Sequence, residues 1–503
     1  MNSPKRLKAL LPATLTQGLS SDPHITGLKI DSRDIQNGDL FVAYPGVLAD
    51  GRDYIDAAIQ NGASAVLAEA FDSGCEPEST VPVIAVKNVK GLIGSVAANF
   101  FDHASQKMKV VAVTGTNGKT SLTQMIAQAM DFLTVHSAVI GTLGNGIVGN
   151  LKTTANTTPD AVLIQQLMAE FLADNVEVLA IEASSHGLKQ DRLKGTSIDI
   201  GVVTNITRDH LDYHGTMTAY KDAKSQLVEW PELKYVILNA DDKEVMSLAK
   251  RVKSDVDLMT FSLNSKLADI YVEALTYKRN GLLLTVKTPA GLVDINNNLM
   301  GAFNVENLLA AVAVLLCLDK TCSDISRALS AITQIPGRME EVRLPVDTTF
   351  LPTVIVDFAH TPDALEKVLK ALRYHSEGNL WCVFGCGGDR DKGKRPEMGE
   401  IATRCADRVV ITSDNPRTED PESIVQEIEN GIGIGAAYSI ELDRAAAVEK
   451  VIAAAAPGDV VLLAGKGHEN YQECHGKKIS YNDIETAQQI LQRKQNSIEH
   501  QEC

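Results

Sequence analysis

Residues Lys109 to Ser121 read KVVAVTGTNGKTS, and the reading of this stretch decides the fold. Lys109 to Val113 is a short β-branched run of the kind that fills a buried parallel strand. It passes directly into Gly115-Thr116-Asn117-Gly118-Lys119-Thr120, and a helical pattern from Ser121 to Met130 follows. Strand, glycine loop and helix in that order make a cradle for phosphate. The glycines let backbone N–H groups converge on an anion, and the helix N-terminus adds partial positive charge. Lys119 can neutralise β- and γ-phosphates, and the Thr120 hydroxyl can hold Mg²⁺. Val113 stands where a P-loop usually has its first glycine, so the pattern is incomplete. A plain glycine turn would share both glycines. Lys119-Thr120 in register, between a strand and a helix, favours phosphate binding.

Working outward, 503 residues exceed a single core and predict about three domains. A hydrophobic content of 44% and a charged content of 22% are ordinary for a soluble globular protein. The formal charge of -16 repels polyanions, which argues against nucleic-acid partners and requires nucleotide phosphates to be held by a local site. Lys5, Arg6 and Lys8 precede an apolar stretch that Pro12 cuts too short for a signal peptide. The longest apolar run, Leu308 to Leu318, falls well short of the roughly twenty residues a bilayer needs. It reads as a buried helix. The 8 cysteines are scattered. Cys382 and Cys386 are close, but no second pair completes a zinc site, so a reduced, cytoplasmic protein without membrane insertion is expected.

Residues 1–90 read as a small α/β unit, with strands at Leu28 to Ile30, Asp39 to Ala43, Ala65 to Ala68 and Val81 to Val86, and a helix at Asp53 to Gln60. Its Asp31-Ser32-Arg33 loop reads most simply as a solvated ion pair. Residues 91–338 form a central unit that opens with a helix near Leu92 to Phe101. After the phosphate loop, the buried run Val176 to Ile181 ends at Glu182, where a Walker-B acid would reach Mg²⁺. Ile198 to Val203 leads into Thr204 to Gly215, a loop crowded with polar groups that includes His210. Such clusters gather at the carboxyl ends of strands in open α/β sheets. A third strand, Tyr235 to Leu238, runs into Asp241-Asp242, which suits a base or ribose contact. Asp269 to Asn297 alternates like a small β-meander, with turns at Asn280-Gly281 and Ala290-Gly291. Lys224, taken alone, looks like a solvated helix lysine.

Pro336-Gly337-Arg338 marks a second boundary, and residues 339–503 alternate strand and helix as a Rossmann-like domain. No G-x-G-x-x-G follows its first strand, which disfavours a nicotinamide. Its strand ends instead carry DFAH (Asp357 to His360), GCGGDR (Gly385 to Arg390), SDNPR (Ser413 to Arg417) and GKGHE (Gly465 to Glu469). Four polar loops on one sheet edge make a substrate site.

Taken together, TGTNGKTS, NTTPD, EASSHGL, TNITRDHLDYHG, GAFNVEN, PGRME, DFAHTPDAL, GCGGDRDKGKRP, DNPR and GKGHE resemble, in kind and order, the Mur ligase family across essentially the whole chain. The pattern is most similar to the members that add meso-diaminopimelate to UDP-N-acetylmuramoyl-L-alanyl-D-glutamate in peptidoglycan synthesis. The resemblance implies three domains: a uridine-binding α/β unit, a central P-loop ATPase sheet with its meander, and a C-terminal amino-acid-binding domain. It implies that Gly115 to Ser121, Asn304, Arg338 and Asp357 contact ATP. Thr120, Glu182 and His210 would hold Mg²⁺, and Lys224 would be carbamylated to N6-carboxylysine and hold a second. Only a neutral amine adds carbon dioxide, and burial near a metal lowers a lysine pKa.

Ile30, Ser32 and the Val47-Leu48-Ala49 loop fall where the UDP moiety docks, and Asn156, Thr157, Thr158, Ser184, Gln190 and Arg192 match contacts to the sugar-peptide. Arg390, Asp414, Asn415, Pro416, Arg417, Gly465 and Glu469 match the amino-acid pocket. Arg417 suits the distal carboxylate of diaminopimelate as a bidentate clamp, and Glu469 suits its distal ammonium. Two departures stand out: Phe358 replaces a tyrosine common in the family, and Val47-Leu48-Ala49 is less polar than usual. The implied chemistry is acyl-phosphate ligation on a monomer, with Lys119 spreading phosphate charge and His210 or His360 as base for the incoming amine. The competing expectations are the same ligase using L-lysine, a folylpolyglutamate synthetase-like ligase, and a P-loop switch that hydrolyses nucleotide without an amino acid.

Overall fold

The protein is described from a computed structural model covering residues 3–19, 21–46, 49–70, 79–278, 281–344 and 350–502. Strands β1 (Leu28–Lys29), β2 (Leu40–Ala43), β3 (Ala65–Glu69) and β4 (Val83–Val86) pair in parallel in that order. Helix α1 (Ile55–Gln60) precedes β3, and α2 (Val89–Phe100) follows β4. Side chains alternate across a strand, and here both faces are covered. Leu40, Val42 and Leu67 pack with α2, whereas Phe41, Ala43 and Val66 pack with Ile55 and Ala58 of α1. That is why the run reads as continuously apolar.

The central sheet is built on β5 (Lys109–Thr114), which is followed by α3 (Lys119–Phe132). Next come β6 (Ser137–Gly141), the ribbon β7 (Gly144–Ile147) and β8 (Asn150–Lys152), α4 (Ala161–Ala173), β9 (Val178–Glu182) and α5 (Ser185–Lys189). The far half holds β10 (Ile200–Val203), α6 (Met217–Ser225), β11 (Tyr235–Asn239) and β12 (Asp257–Ser262). Strands β13 (Ile270–Lys278), β14 (Gly281–Thr288) and β15 (Gly291–Asn297) complete an 11-stranded sheet of order β8-β7-β6-β9-β5-β10-β11-β12-β13-β14-β15. Chain connections leave β5 in both directions, so its carboxyl end is a topological switch point. Val111 and Val113 face α3 and the apolar helix α7 (Ala302–Cys317), while Val110 and Ala112 face α4. Helix α8 (Cys322–Ser330) closes this layer.

The meander is not a separate unit. β13 pairs in parallel with β12, so the antiparallel ribbon extends the main sheet, and of its two expected turns the Asn280 position lies outside the described residues. The β7–β8 ribbon has no counterpart in the sequence reading, because Gly144, Asn145 and Gly146 carry none of the β-branched enrichment that marks a strand.

The third sheet has the order β16-β17-β21-β18-β19-β20. In chain order it comprises β16 (Glu340–Glu341), β17 (Thr353–Asp357), α9 (Pro362–Arg373), β18 (Leu380–Phe384), α10 (Lys394–Cys405), β19 (Arg408–Ile411), α11 (Pro421–Glu429), β20 (Tyr438–Ile440), α12 (Arg444–Ala454) and β21 (Val460–Ala464). A hairpin, β22 (Tyr471–Cys474) and β23 (Lys477–Ser480), and helix α13 (Asp483–Glu502) follow. β20, the hairpin and α13 are additions to the alternation read from sequence. A buried ion pair, Arg444 Nη2 to Asp483 Oδ2 at 2.7 Å, ties α12 to α13, and Arg444 also donates to the Ala464 carbonyl at the end of β21. No helix among the described residues is long and apolar enough to cross a membrane.

Candidate active site

The phosphate loop is held open by its neighbours. Gly115 (φ 151°) and Gly118 (φ 88°) have backbone conformations that L side chains rarely adopt. A Cβ on Gly115 would meet Thr204 Oγ1 at 1.9 Å, and one on Gly118 would meet Asn307 Oδ1 at 2.7 Å. The loop after β10 supplies the scaffold. Asn117 N donates to Asn205 Oδ1 at 2.8 Å, and Thr204 Oγ1 donates to Asn117 O at 2.6 Å. Two lysines converge on one carbonyl: Lys119 Nζ lies 2.8 Å and Lys224 Nζ 2.6 Å from Gly115 O. Lys224 is not a solvated helix residue. It is 1% exposed and lies 4.6 Å above the Tyr220 ring. Burial, and then the charge of Lys119, hold its amine well below the ordinary lysine range. Burial lowers Lys119 too.

Glu182, the last residue of β9, is buried and satisfied. Its Oε1 accepts from Thr142 N at 2.8 Å, and its Oε2 accepts from Thr120 Oγ1 at 3.0 Å and Thr142 Oγ1 at 3.1 Å. Thr142 escapes a motif search. Its only signal is its place just beyond the carboxyl end of β6. Arg338 Nη2 donates to Thr120 Oγ1 at 3.1 Å, and its guanidinium lies 4.5 Å over the Phe358 ring. Phenylalanine at this position therefore offers a cation–π face. Asp357 is buried, fixed by the backbone N–H groups of Met339 and Ala359, each at 2.7 Å.

His210 sits in the left-handed region (φ 53°), 3.3 Å from Asp209 Oδ2. Burial pulls its imidazole down to about 3 against the opposing pull of Asp209. His360 Nδ1 lies 2.8 Å from the Phe358 carbonyl. A carbonyl only accepts, so Nδ1 carries the proton and Nε2 presents a lone pair. Burial and the nearby Lys394 lower His360 to about 4.

The loop after β19 carries Asp414 to Arg417. Arg417 is held at φ 53° by a backbone bond from its N–H to Glu473 O at 3.0 Å, and its Nη1 donates to Gly388 O at 2.8 Å. Such strain on a non-glycine residue persists only where the surroundings impose it. Arg395, 0% exposed, bonds both Glu419 and Glu427 and fixes the Gly387 carbonyl of the facing loop.

These loops enclose one cavity of about 560 Å³. Thr116 to Ser121, Glu182, His210 and Lys224 line it from the central sheet, and Asn156, Thr157, Thr158, Ser184 and Arg192 line it alongside them. Arg338, Asp357, His360, Arg390, Asp414, Asn415, Arg417, Gly465 and Glu469 line it from the other side. The P-loop touches the C-terminal domain directly at the start of α9, through Asn117 Nδ2 to Asp363 Oδ2 at 2.9 Å. Residues without an individual role in the sequence reading also line it: Asn205 and Asp209 of the polar loop, Lys394 of the GCGGDRDKGKRP motif, and Thr142 and Tyr220.

Other expected residues lie elsewhere. Gly115, Asn304, Gln190 and Pro416 do not line the cavity; Asn304 is buried and donates to Met300 O at 2.8 Å, and Gln190 supports Arg192 from behind at 2.8 Å. Ile30, Ser32 and Ala49 are also outside its lining, and Val47 and Leu48 lie outside the described residues. Ser32 lies in a loop whose Asp31–Arg33 ion pair spans 2.6 Å, as its sequence suggested. Asp241 and Asp242 are not in the cavity lining: Asp241 accepts from Ser262 Oγ and Leu263 N, and Asp242 caps a short helix. Short polar side chains at a strand end serve caps as readily as ligands.

Comparison with known proteins agrees with this arrangement. Three family descriptions match in chain order: the Mur ligase family catalytic domain over residues 24–101, the Mur ligase middle domain over 113–315, and the Mur ligase glutamate ligase domain over 337–467. A UDP-N-acetylmuramoyl-L-alanyl-D-glutamate--2,6-diaminopimelate ligase of Coxiella burnetii is 42% identical over 491 residues, covering 97% of this chain and 99% of that protein. The chain belongs to the Mur ligase family. A relative of the same description from Neisseria meningitidis serogroup A is 45% identical over 475 residues, covering 93% and 95%. A solved structure described as UDP-N-acetylmuramoyl-L-alanyl-D-glutamate--2,6-diaminopimelate ligase superposes with a TM-score of 0.70 at 35% identity, covering 98% of this chain and 100% of that one. The three-domain α/β architecture is thus that of the Mur ligases.

Proposed function

We propose that this chain is an ATP-dependent amide ligase that adds meso-diaminopimelate to UDP-N-acetylmuramoyl-L-alanyl-D-glutamate during peptidoglycan precursor synthesis. The observation that carries the reading is the sharing of one cavity by the phosphate loop and two guanidinium-bearing loops, with Lys119 on one wall and Arg390 and Arg417 on the other. The relatives that cover nearly the whole chain bear the name of that activity. Three units carry it in this reading: 1–90 for the uridine nucleotide, 91–338 for ATP and 339–503 for the amino acid. The enzyme is a cytoplasmic monomer without nucleic-acid or membrane partners.

The γ-carboxylate of D-glutamate attacks the γ-phosphorus of ATP, and ADP leaves. Lys119, released from the Gly115 and Thr116 carbonyls, follows the charge onto the transferring group. The α-amine of diaminopimelate then attacks the acyl carbon, loses a proton to the Nε2 lone pair of His360, since His210 is given to the metal, and inorganic phosphate departs. Arg417 and Arg390 hold the distal carboxylate, and Glu469 holds the distal ammonium. Asn156, Thr157, Thr158, Ser184, Gln190 and Arg192 orient the sugar-peptide, with Ile30, Ser32 and the 47–49 loop at the uridine end. Asn304, Arg338 and Asp357 serve the nucleotide.

The donor set fits Mg²⁺. Among the described residues no three His, Cys, Asp or Glu side chains cluster as a cage. Magnesium prefers one or two protein ligands plus substrate phosphates and water, and Thr120 and Glu182 meet at 3.0 Å facing the phosphate loop. Thr120, Glu182 and His210 would hold one ion and Lys224, as its carbamate, a second. Bound there, the ions supply charge neutralisation for the phosphoryl oxygens. The reading is tested by phosphate release with the UDP-dipeptide. Release dependent on meso-diaminopimelate, with L-lysine poorly used, is expected. Equal use of L-lysine, or nucleotide hydrolysis without any amino acid, contradicts it.

A further inference from the structure

The amino-acid pocket contains a buried cation that no motif match assigned. Lys466, in the loop after β21, is 0% exposed. Its Nζ donates to Asn415 Oδ1 at 2.9 Å, to Tyr471 O at 2.9 Å and to Glu469 Oε2 at 3.2 Å, and lies 3.6 Å from Asp414 Oδ1. Three N–H donors meet three acceptors, so the ammonium is fully used. The consequences reach both substrate-facing loops. Asn415 Oδ1 also accepts from Glu473 N at 2.8 Å, which fixes the flip of its amide and leaves Nδ2 to donate to Glu469 Oε2 at 2.9 Å. Glu469 Oε2 is thus committed to Lys466 and Asn415. Among the described residues its Oε1 accepts no hydrogen bond, and Glu469 lines the cavity. Gly465 brings Asp414 against the same knot: a Cβ there would meet Asp414 Oδ2 at 2.4 Å.

We infer that Lys466 is a positioning residue that sets the specificity of this pocket. Its ammonium joins the Asp414–Arg417 loop to the Gly465–Glu469 loop and cancels one of two carboxylates. One negative charge remains, with Glu469 Oε1 free of hydrogen bonds among the described residues, in the same cavity as the guanidinium groups of Arg417 and Arg390. That balance suits the end of an amino acid bearing one ammonium and one carboxylate. It disfavours an end bearing an ammonium alone, which brings no carboxylate to Arg390 and leaves Arg417 only its Glu473 neighbour, Nε to Oε2 at 3.5 Å. Lys466 itself is fully buried, and truncating one member of a buried, hydrogen-bonded charge set disturbs binding through the groups left unpaired.

The inference rests on the proposed ligase reading, and one set of assays separates the two. The KM for meso-diaminopimelate and the inhibition constant of L-lysine against it are measured for the wild type, K466M and the double variant D414N/K466M. Wild-type turnover with meso-diaminopimelate is the control; its absence overturns the ligase reading itself. In K466M two uncancelled carboxylates face the distal carboxylate of the substrate, and the ratio of the L-lysine inhibition constant to the diaminopimelate KM falls by about tenfold or more. The KM for ATP stays within about twofold, because the phosphate loop shares none of these bonds. The double variant restores the charge count, and the ratio returns to within about threefold of the wild type even where kcat stays low. A merely structural lysine would weaken both amino acids alike. An unmoved ratio in K466M, or no recovery in D414N/K466M, overturns the inference while leaving the ligase reading intact. Should K466M fail to fold, K466Q removes the charge and keeps a hydrogen-bonding side chain, and carries the same test.

Discussion

Lys224 and Lys466 are the same side chain and both are buried, Lys224 in the wall of the cavity and Lys466 beneath the Gly465 and Glu469 that line it, and their surroundings point them to opposite tasks. Lys224 lies against a carbonyl, the face of a tyrosine and a second lysine. Among the described residues no carboxylate bonds it, and burial and the charge of Lys119 outweigh the opposing pull of Asp209, which favours the neutral amine, the form that adds carbon dioxide. Lys466 lies within hydrogen-bonding or ion-pairing distance of Glu469 and Asp414, and all its donors are engaged. The comparison teaches that the company of a buried lysine, not burial itself, decides whether it serves as a reactive amine or as a fixed charge.

The sharpest break of this comparison is Lys224→Ala. Removing the group that the account makes anionic at the reacting phosphate costs roughly a hundredfold to a thousandfold in kcat. Bicarbonate does not restore activity, whereas a short-chain carboxylic acid restores part of it; full activity in the variant would remove Lys224 from the mechanism. Arg417→Ala comes next. Loss of a partly buried clamp on a carboxylate is expected to weaken diaminopimelate by about 2 kcal/mol or more while leaving the KM for ATP nearly unchanged; equal loss for both substrates contradicts the clamp.

A third test uses pH. Burial lowers His186, His360 and His468 to about 4 from an ordinary 6.5. Between those values the unfolded chain binds more protons than the folded one, so stability rises with pH across that window and is lost on acidification. The melting temperature is expected to fall steadily as pH drops from about 6.5 toward about 4; a flat profile would show that these rings are not held neutral. Phe358→Ala is the smallest effect, about 0.5–2 kcal/mol from the lost ring face under Arg338, read as a modest rise in the KM for ATP.

Much of this was legible in the sequence because it rests on local pattern. The phosphate loop, the strand-end acid at Glu182 and the four C-terminal loops each sit where a strand meets a turn, and a short continuous apolar run or a glycine signature marks that place. Sequence alone left Lys224 looking like a surface helix lysine, because nothing in α6 announces that Tyr220 and Gly115 will close over it. Thr142 left no mark because its partner Glu182 is remote in the chain, and Lys466, although inside the quoted GKGHE, took no role because its bond to Asn415 joins two loops far apart in sequence. Asp241 and Asp242 lie outside the cavity lining and cap and brace local backbone, since acidic residues after a strand serve as helix caps as readily as ligands. The meander was recognised as strands but not as part of the main sheet, since pairing between β12 and β13 leaves no mark in either strand's own sequence.

The central claim is that nucleotide activates a carboxyl group by forming an acyl phosphate inside the cavity shared by Lys119 and Arg417. The most direct measurement places ¹⁸O in the γ-carboxylate of the UDP-dipeptide and follows the label through one turnover with meso-diaminopimelate. The account predicts that one labelled oxygen leaves in inorganic phosphate for each amide bond formed. Phosphate free of label, with both labelled oxygens lost to water or one kept and the other not transferred to phosphorus, would contradict it.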